Sequence, residues 1–191
     1  MKKNVLLYFS LLVLAFTANA IAQTSAVKMN EIWSRGSGEN LDWIEIYNCS
    51  NAEVDITGYK IYDSGGQSGT KPKMEIPANT KLPAKAYYVI ITDIPTTTNP
   101  AGFGLSSGGE KVWLEDNAGT VIDTITFTSM TETQTYRRIP DGGAWKVADG
   151  LTKGYANSII VMNEIWARGS GENLDYIELY NSSSAAVNIG G

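Results

Sequence analysis

The 191-residue sequence predicts an all-β fold in which two sheets pack face to face. Three observations support this prediction. Apolar and polar residues alternate over short stretches such as 42–47 and 111–115, which is the period of a half-buried strand. Clusters of glycine, serine, asparagine and aspartate separate these stretches, as expected for turns between strands. Helical periodicity is hard to find after the N-terminal segment.

The N-terminal segment, residues 1–22, has the layout of a secretory signal peptide. Two lysines follow Met1, an apolar run extends from Val5 to Phe16, and the small residues Ala20 and Ala22 fit cleavage after Ala22, or alternatively after Ala20. The run is shorter than the ~20 apolar residues of a spanning helix, so a membrane anchor is the less favoured alternative. We therefore expect a secreted or cell-surface protein with no membrane span once the signal peptide is removed.

Eight stretches of the remaining chain are predicted to be strands. They are residues 27–33, 42–47, 57–62, 73–76, 86–92, 111–115, 120–127 and 134–139. Within them, Ile44 and Ile46 share one face of a strand, and so do Val112 and Leu114. These four side chains are predicted to lie in the core.

Glycine-rich stretches are predicted to be the loops between these strands. Residues 64–69 and 94–110 are rich in glycine, serine and proline, and are expected to be irregular. Residues 116–119 form a tight hairpin turn, because Gly119 can adopt a positive φ.

A twenty-residue segment occurs twice in the chain. Residues 29–48 and 162–181 are identical at seventeen of twenty positions, with an offset of 133 residues. The differences are Ser34/Ala167, Trp43/Tyr176 and Ile46/Leu179. We therefore expect one complete β-sandwich unit over residues 26–157, followed by the truncated start of a second unit over residues 158–191.

Charge and residue usage argue against several classes of function. Without residues 1–22 the chain has 13 Lys and Arg against 20 Asp and Glu, a net charge of −7. An acidic chain with scattered cations offers no footprint for nucleic acid. Histidine, the commonest general base and zinc ligand, does not occur. The single cysteine, Cys49, has no partner for an internal disulfide. We therefore do not expect an enzyme.

Short motifs follow one another in a fixed order along the first unit. They are MNEI at 29–32, DWIEIYN at 42–48, VDITGY at 54–59, IPA at 76–78, LPA at 82–84, FGLS at 103–106 and RIPDG at 138–142. Together they resemble the lamin tail domain family in its bacterial secreted form. The resemblance implies an immunoglobulin-like β-sandwich without shared catalytic residues. It also implies an accessory module of secreted proteins, in some cases beside nucleases or other hydrolases.

The densest acidic group contains Glu31, Asp42 and Glu45, and the repeat carries the same acids. One interpretation is a calcium site built from these three carboxylates, which would be the only cofactor of the protein. A paired-carboxylate hydrolase is a second interpretation. The favoured interpretation is structural: the acids cap backbone amides of the loop at 35–41.

Aromatic side chains of the strands offer a second candidate site. Trp43 and Tyr47 point away from the face that Ile44 and Ile46 occupy, so they are the best candidates for an exposed platform that binds a sugar ring or a partner protein. The alternative is that these aromatic residues fill the core or shield sheet edges.

Asp123 lies between Val121 and Ile125 on one face of a predicted strand. If that face is turned inward, the carboxylate is buried and requires hydrogen-bond donors. We expect these donors to be backbone amides, Arg137 or Arg138.

These observations predict a non-catalytic interaction or scaffold module of a secreted or cell-surface bacterial protein, with a protein or glycan as its partner. A carbohydrate-binding module that uses exposed aromatic residues, with or without calcium, is one alternative. An accessory domain of a larger secreted hydrolase or nuclease is another.

Overall fold

The structure is a computed structural model that describes residues 25–36, 40–94, 102–157, 160–172, 174–181, 186 and 189. The predicted signal peptide lies outside these residues. In chain order, the described elements are β1 (Val27–Trp33), β2 (Trp43–Asn48), β3 (Val54–Asp55), β4 (Lys60–Tyr62), α1 (Ser64–Ser68), β5 (Met74–Glu75), β6 (Lys81–Leu82), β7 (Tyr87–Ile91), β8 (Lys111–Glu115), β9 (Val121–Thr126), β10 (Gln134–Ile139), β11 (Ala144–Asp149), β12 (Ile160–Trp166) and β13 (Tyr176–Asn181). None of the described helices is long and apolar enough to cross a bilayer.

Two antiparallel sheets form the first unit, as the sequence predicts. One has five strands in the order β11-β10-β1-β2-β7, and the other has four in the order β5-β4-β8-β9. A short ladder of β3 and β6 accompanies them. The twice-repeated segment is central to this arrangement, because β1 and β2 pair with each other and lie inside the five-stranded sheet.

The core lies between the facing sides of the two sheets. Ile44, Ile46, Val112 and Leu114 are fully buried, which confirms the predicted strand faces. Other members of the same cluster are Val27, Met29, Ile32, Trp33, Trp43, Ile56, Ile61, Met74, Ile76, Leu82, Ile90, Phe103, Leu105, Phe127 and Met130. At about 25 cal/mol per Å² of apolar area, burial of this cluster is the main force that holds the two sheets together.

Asp123 connects the two sheets at one edge of the sandwich. Its carboxylate accepts a hydrogen bond from the Met29 backbone N–H at 2.9 Å and forms an ion pair with Arg138 at 3.2 Å. Asp123 is half-buried, and its predicted backbone and arginine partners are confirmed.

Several short elements differ from the prediction. The stretch at 64–69 contains the one-turn helix α1, whose first N–H groups are capped by the side chain of Asp63. Gly58 has φ 74° and ends a turn, so β4 begins only at Lys60 instead of residue 57. Strand β11 was not predicted, because it is a half-exposed edge strand without a regular apolar face.

The second copy of the repeated segment forms its own two-stranded sheet, β12–β13. Its register, Glu164 opposite Glu178 and Ile165 opposite Ile177, reproduces the register of β1–β2. Its apolar side chains are nevertheless exposed, at 60% for Ile165 and 61% for Ile177.

Candidate functional site

Apart from Asp42, the predicted site residues lie on the face of β1–β2 opposite Ile44 and Ile46, here called the outer face. Glu31 and Glu45 are direct cross-strand partners on this face. A β-bulge between Met29 and Glu31 adds one residue to β1, so the side chain of Asn30 can also reach the outer face. All three polar side chains are fully buried. Buried groups of this kind require partners.

The partners come from residues 150–157, here called the strap, which follow β11 and cross the outer face. Thr152 donates to Glu31 twice, from its N–H at 3.1 Å and from its hydroxyl at 2.7 Å. The Gly154 N–H donates to Glu45 Oε2 at 2.7 Å. The side-chain amide of Asn157 donates to the backbone carbonyl of Asn30 at 3.2 Å. The strap is therefore fastened along its length to the first hairpin.

An ion pair neutralises Glu31. Arg137 on β10 lies 3.4 Å from its carboxylate, and the Thr135 hydroxyl donates to the same oxygen at 2.6 Å. Arg137 also donates to the backbone carbonyls of Asp149 and Gly150, both at 2.8 Å. One guanidinium group therefore fixes both the buried acid and the start of the strap.

Glu45 is held by neutral donors. Asn30 donates to its Oε1 at 3.1 Å, and the strap amide of Gly154 binds its other oxygen. Burial raises the pKa of Glu45 to about 7, and the nearby carboxylates of Glu31 and Asp141 add to the rise against the lowering effect of the two hydrogen bonds. This group is therefore the member of the network that titrates near neutral pH.

Asp141 closes the network at the end next to β7. Its Oδ1 accepts from the Asn30 amide at 2.8 Å and from the Asn157 N–H at 3.1 Å. Its Oδ2 accepts from the Tyr87 hydroxyl at 2.6 Å. Burial, followed by this bond to a carboxylate, raises the pKa of Tyr87. Tyr87 also stacks on Tyr47, with ring centroids 5.1 Å apart.

These contacts overturn the prediction that Trp43 and Tyr47 form an exposed platform. Trp43 is 1% exposed and Tyr47 is 9% exposed. Trp43 packs with the apolar cluster of the core, and the Lys153 ammonium of the strap lies 5.6 Å from its ring. Tyr47 is covered by its stacking on Tyr87. The outer face of β1–β2 is therefore a second, polar interior and not a binding platform.

The three acids of the predicted calcium site are only partly brought together. Glu31 and Glu45 are neighbours, whereas Asp42 binds the backbone N–H groups of Gly36 at 2.7 Å and Leu105 at 2.8 Å. Desolvation raises the pKa of Asp42 despite these bonds. Among the described residues, no group of three or more acidic, cysteine or histidine side chains is placed to bind a metal. The predicted amide-capping role is confirmed for Asp42, and the calcium site stays a prediction.

A second aromatic surface, whose residues the sequence favoured less than Trp43 and Tyr47, lies on the outward side of the four-stranded sheet. The half-buried Trp113 stacks on Tyr62 with a centroid distance of 6.0 Å, and the Lys111 ammonium lies 5.1 Å from the Trp113 ring. Lys73 lies over Tyr62 at 4.2 Å and bonds to the buried Glu115. The alternation of residues 111–115 was the available signal, because it places Lys111, Trp113 and Glu115 on the side opposite the core.

Comparison with known proteins yields one family. The family model described as Lamin Tail Domain matches residues 20–129. That range extends over β1 to β9 and ends before β10, β11 and the strap, which supply most partners of the buried network. No curated protein matches the chain.

Proposed function

Because the chain belongs to the lamin tail domain family, we propose that it is a non-catalytic interaction or scaffold module of a secreted or cell-surface protein of the bacterial type. The family is a non-catalytic, immunoglobulin-like one, and the described fold agrees with it. The observation that supports a scaffold role is the strap. It is bound to the first unit along its length and leads directly into a second copy of the same hairpin.

The use of the acidic residues is consistent with this role. The carboxylates of Glu31 and Glu45 accept hydrogen bonds from the backbone N–H groups and the hydroxyl of the strap. The outer face of β1–β2 therefore holds in place the segment that connects one unit to the next. Only two residues separate Asn157, the last fastened residue, from Ile160 at the start of β12. A short connection of this kind favours a defined spacing between the unit at 26–157 and a repeat that starts at 158.

Secretion of the full chain tests the cellular side of this proposal. Expressed in a bacterial host, the chain should leave the cytoplasm with Gln23 as its first residue, as determined by mass spectrometry of the intact protein. The secreted protein should also bind saturably to a cell-envelope fraction. Retention in the cytoplasm with Met1 intact, or absence of saturable binding, would contradict the proposal.

A second candidate function, carbohydrate binding, is favoured by the surface around Trp113. The half-buried indole ring of Trp113 lies beside Lys111 and stacks on Tyr62, which lies beneath Lys73. Together they offer an aromatic surface for a sugar ring and cations for an acidic substituent. Glycan-array binding that is lost on Trp113→Ala would support this function. Tyr155→Ala, which removes a highly exposed aromatic ring elsewhere, is the matched control and should leave binding intact. No binding by the unaltered chain, or equal loss in both variants, would contradict it.

A further inference from the structure

We propose that the second hairpin, β12–β13, can take the place of β1–β2 between β10 and β7 of the same chain. The first unit would then have two interchangeable hairpins, of which one is inserted and the other is outside. This exchange would change which hairpin completes the five-stranded sheet of the first unit, and it requires no other molecule.

The position occupied by β1–β2, here called the slot, is defined on four sides. Strand β10 pairs with β1, and β7 pairs with β2. The apolar core lies beneath the hairpin, and the strap lies above it. Three residues of the hairpin make the contacts above: Glu31 and Glu45 through their carboxylates, and Asn30 through its backbone carbonyl.

The second hairpin carries the same three polar side chains in the same arrangement. Asn163, Glu164 and Glu178 correspond to Asn30, Glu31 and Glu45. The bulge between Met162 and Glu164 repeats the bulge of β1, and Asn163 bonds to Glu178 as Asn30 does to Glu45. Outside the slot, the second hairpin therefore already has the shape that the slot accepts.

One hydrogen bond ahead of the second strand is also repeated. The Gly169 N–H donates to Asp175 at 2.7 Å, which is the distance of the equivalent bond from Gly36 to Asp42. Insertion would therefore require little rearrangement within the hairpin, which lowers the entropic cost of the exchange.

Exchange replaces one set of exposed apolar side chains with a nearly identical set. Whichever hairpin stays outside leaves its isoleucines in water, so the preference depends on the five positions at which the two segments differ, which are the three in the repeat and also Val27/Ile160 and Lys28/Val161. Trp43/Tyr176 and Ile46/Leu179 change large side chains at fully buried positions of the slot. A smaller ring and a differently branched side chain pack less well there. The first hairpin is therefore the major occupant and the second the minor one.

The connection is long enough for the exchange within one chain. Asn157 is bonded to Asn30, and Val27 at the start of the slot is three residues before Asn30. Ile160, the equivalent of Val27, is likewise three residues after Asn157. Both stretches span about 10 Å when extended. Because this tether is short, the effective concentration of the second hairpin at its own slot is much higher than that of a hairpin from another molecule.

The first test asks whether either hairpin alone keeps the full 191-residue chain folded, and whether disrupting both unfolds it. Ile44→Asp places a carboxylate in the core and expels the first hairpin, whereas Ile177→Asp makes the same change in the second. We expect Ile177→Asp alone to unfold like the unaltered protein. Ile44→Asp should keep a cooperative thermal transition by near-UV circular dichroism, and the double variant should lose it. If Ile44→Asp is as unfolded as the double variant, the proposal is wrong.

Disulfide trapping identifies the occupant directly. Tyr47 is the partner of Tyr87 across β2 and β7, so exchange places Tyr180 opposite Tyr87. In a Cys49→Ser background, Tyr87→Cys with Tyr180→Cys should form an intramolecular disulfide in monomeric protein, as determined by peptide mass mapping. Adding Ile44→Asp should accelerate its formation by about tenfold or more, because the slot is vacated.

The matched control for trapping is Tyr87→Cys with Tyr47→Cys in the same background, which should form its disulfide in the unaltered arrangement. If this control forms its bond and the Tyr180→Cys pair forms none even with Ile44→Asp, exchange does not occur. Disulfide-linked dimers in place of monomers would show that a second molecule supplies the hairpin, which also contradicts the proposal.

Discussion

The two hairpins β1–β2 and β12–β13 have nearly the same sequence, the same register and the same local hydrogen bonds, yet their environments are opposite. Every residue of β2 is buried, whereas five of the six residues of β13 are exposed. Residues close in sequence therefore determine strand pairing and the bulge. Whether the hairpin becomes interior is decided by residues about 40 to 120 positions away, in β7, β10 and the strap.

This difference gives the same side chain two different energetic roles. In the first hairpin a glutamate is a buried charge that requires a specific arginine, and in the second it is an ordinary exposed acid. Isoleucine similarly changes from a core residue to an exposed apolar group. Substitutions made in matched pairs should therefore have unequal effects, and the size of the inequality measures what the rest of the unit contributes.

The largest effect is expected for Arg137→Met. This change leaves Glu31 buried without its cation, so the free energy of unfolding should fall by about 3–5 kcal/mol. As a control, Arg168→Met alters an exposed arginine of the second copy, the equivalent of Arg35, and should change stability by less than about 0.5 kcal/mol. Urea unfolding followed by tryptophan fluorescence measures both. A loss below about 1 kcal/mol for Arg137→Met would show that the ion pair does not hold the network.

The next effect concerns the apolar side of the comparison. In a chain that already carries Ile177→Asp, so that only the first hairpin fits the slot, Ile44→Ala should cost about 2–5 kcal/mol, because it leaves a cavity in the core. Ile177→Ala in the otherwise unaltered chain should cost less than about 0.5 kcal/mol. Equal costs in chemical denaturation would mean that both hairpins are packed to the same degree in solution.

A smaller, pH-dependent effect should distinguish Glu45 from Glu178. The pKa of Glu45 is about 7 in the folded protein against an ordinary value of 4.5, so the folded state binds this proton more tightly than the unfolded state. Its contribution to stability is therefore present below about pH 4.5 and is lost as the pH rises to about 7. The total is about 3 kcal/mol.

Thermal unfolding of the unaltered chain and of Glu45→Gln between pH 4.5 and 8 measures this effect as a difference. The difference between the two proteins should change across that window, whereas Glu178→Gln should follow the unaltered chain throughout. Parallel pH profiles for all three proteins would place the titration of Glu45 outside the window.

The smallest effect is expected for calcium. The oxygens of Glu31 and Glu45 are already engaged by protein donors, so adding Ca²⁺ should shift the melting temperature by less than about 1 °C. A rise of several degrees that Glu45→Gln abolishes would instead support the calcium site built from Glu31, Asp42 and Glu45.

Local patterns predicted most of the fold but not the environment of the site. Alternation placed Ile44 and Ile46 in the core and Asp123 beside an arginine, and both predictions are confirmed. The same alternation placed Trp43 and Tyr47 opposite the core and led to the mistaken platform. Period-two patterning states which side of a sheet a residue takes, and it contains no information about what covers that side.

The sequence by itself determined the all-β class, the turn at Gly119, the repeat and the register shared by its two copies, because each depends on residues near one another in the chain. Only the tertiary structure decided that one copy of the repeat is an interior element and the other an exposed one. That outcome depends on Arg137, Thr152 and Gly154 meeting two glutamates about 100 residues earlier. A buried carboxylate is stable only where such donors converge, and their convergence depends on the folded path of the whole unit.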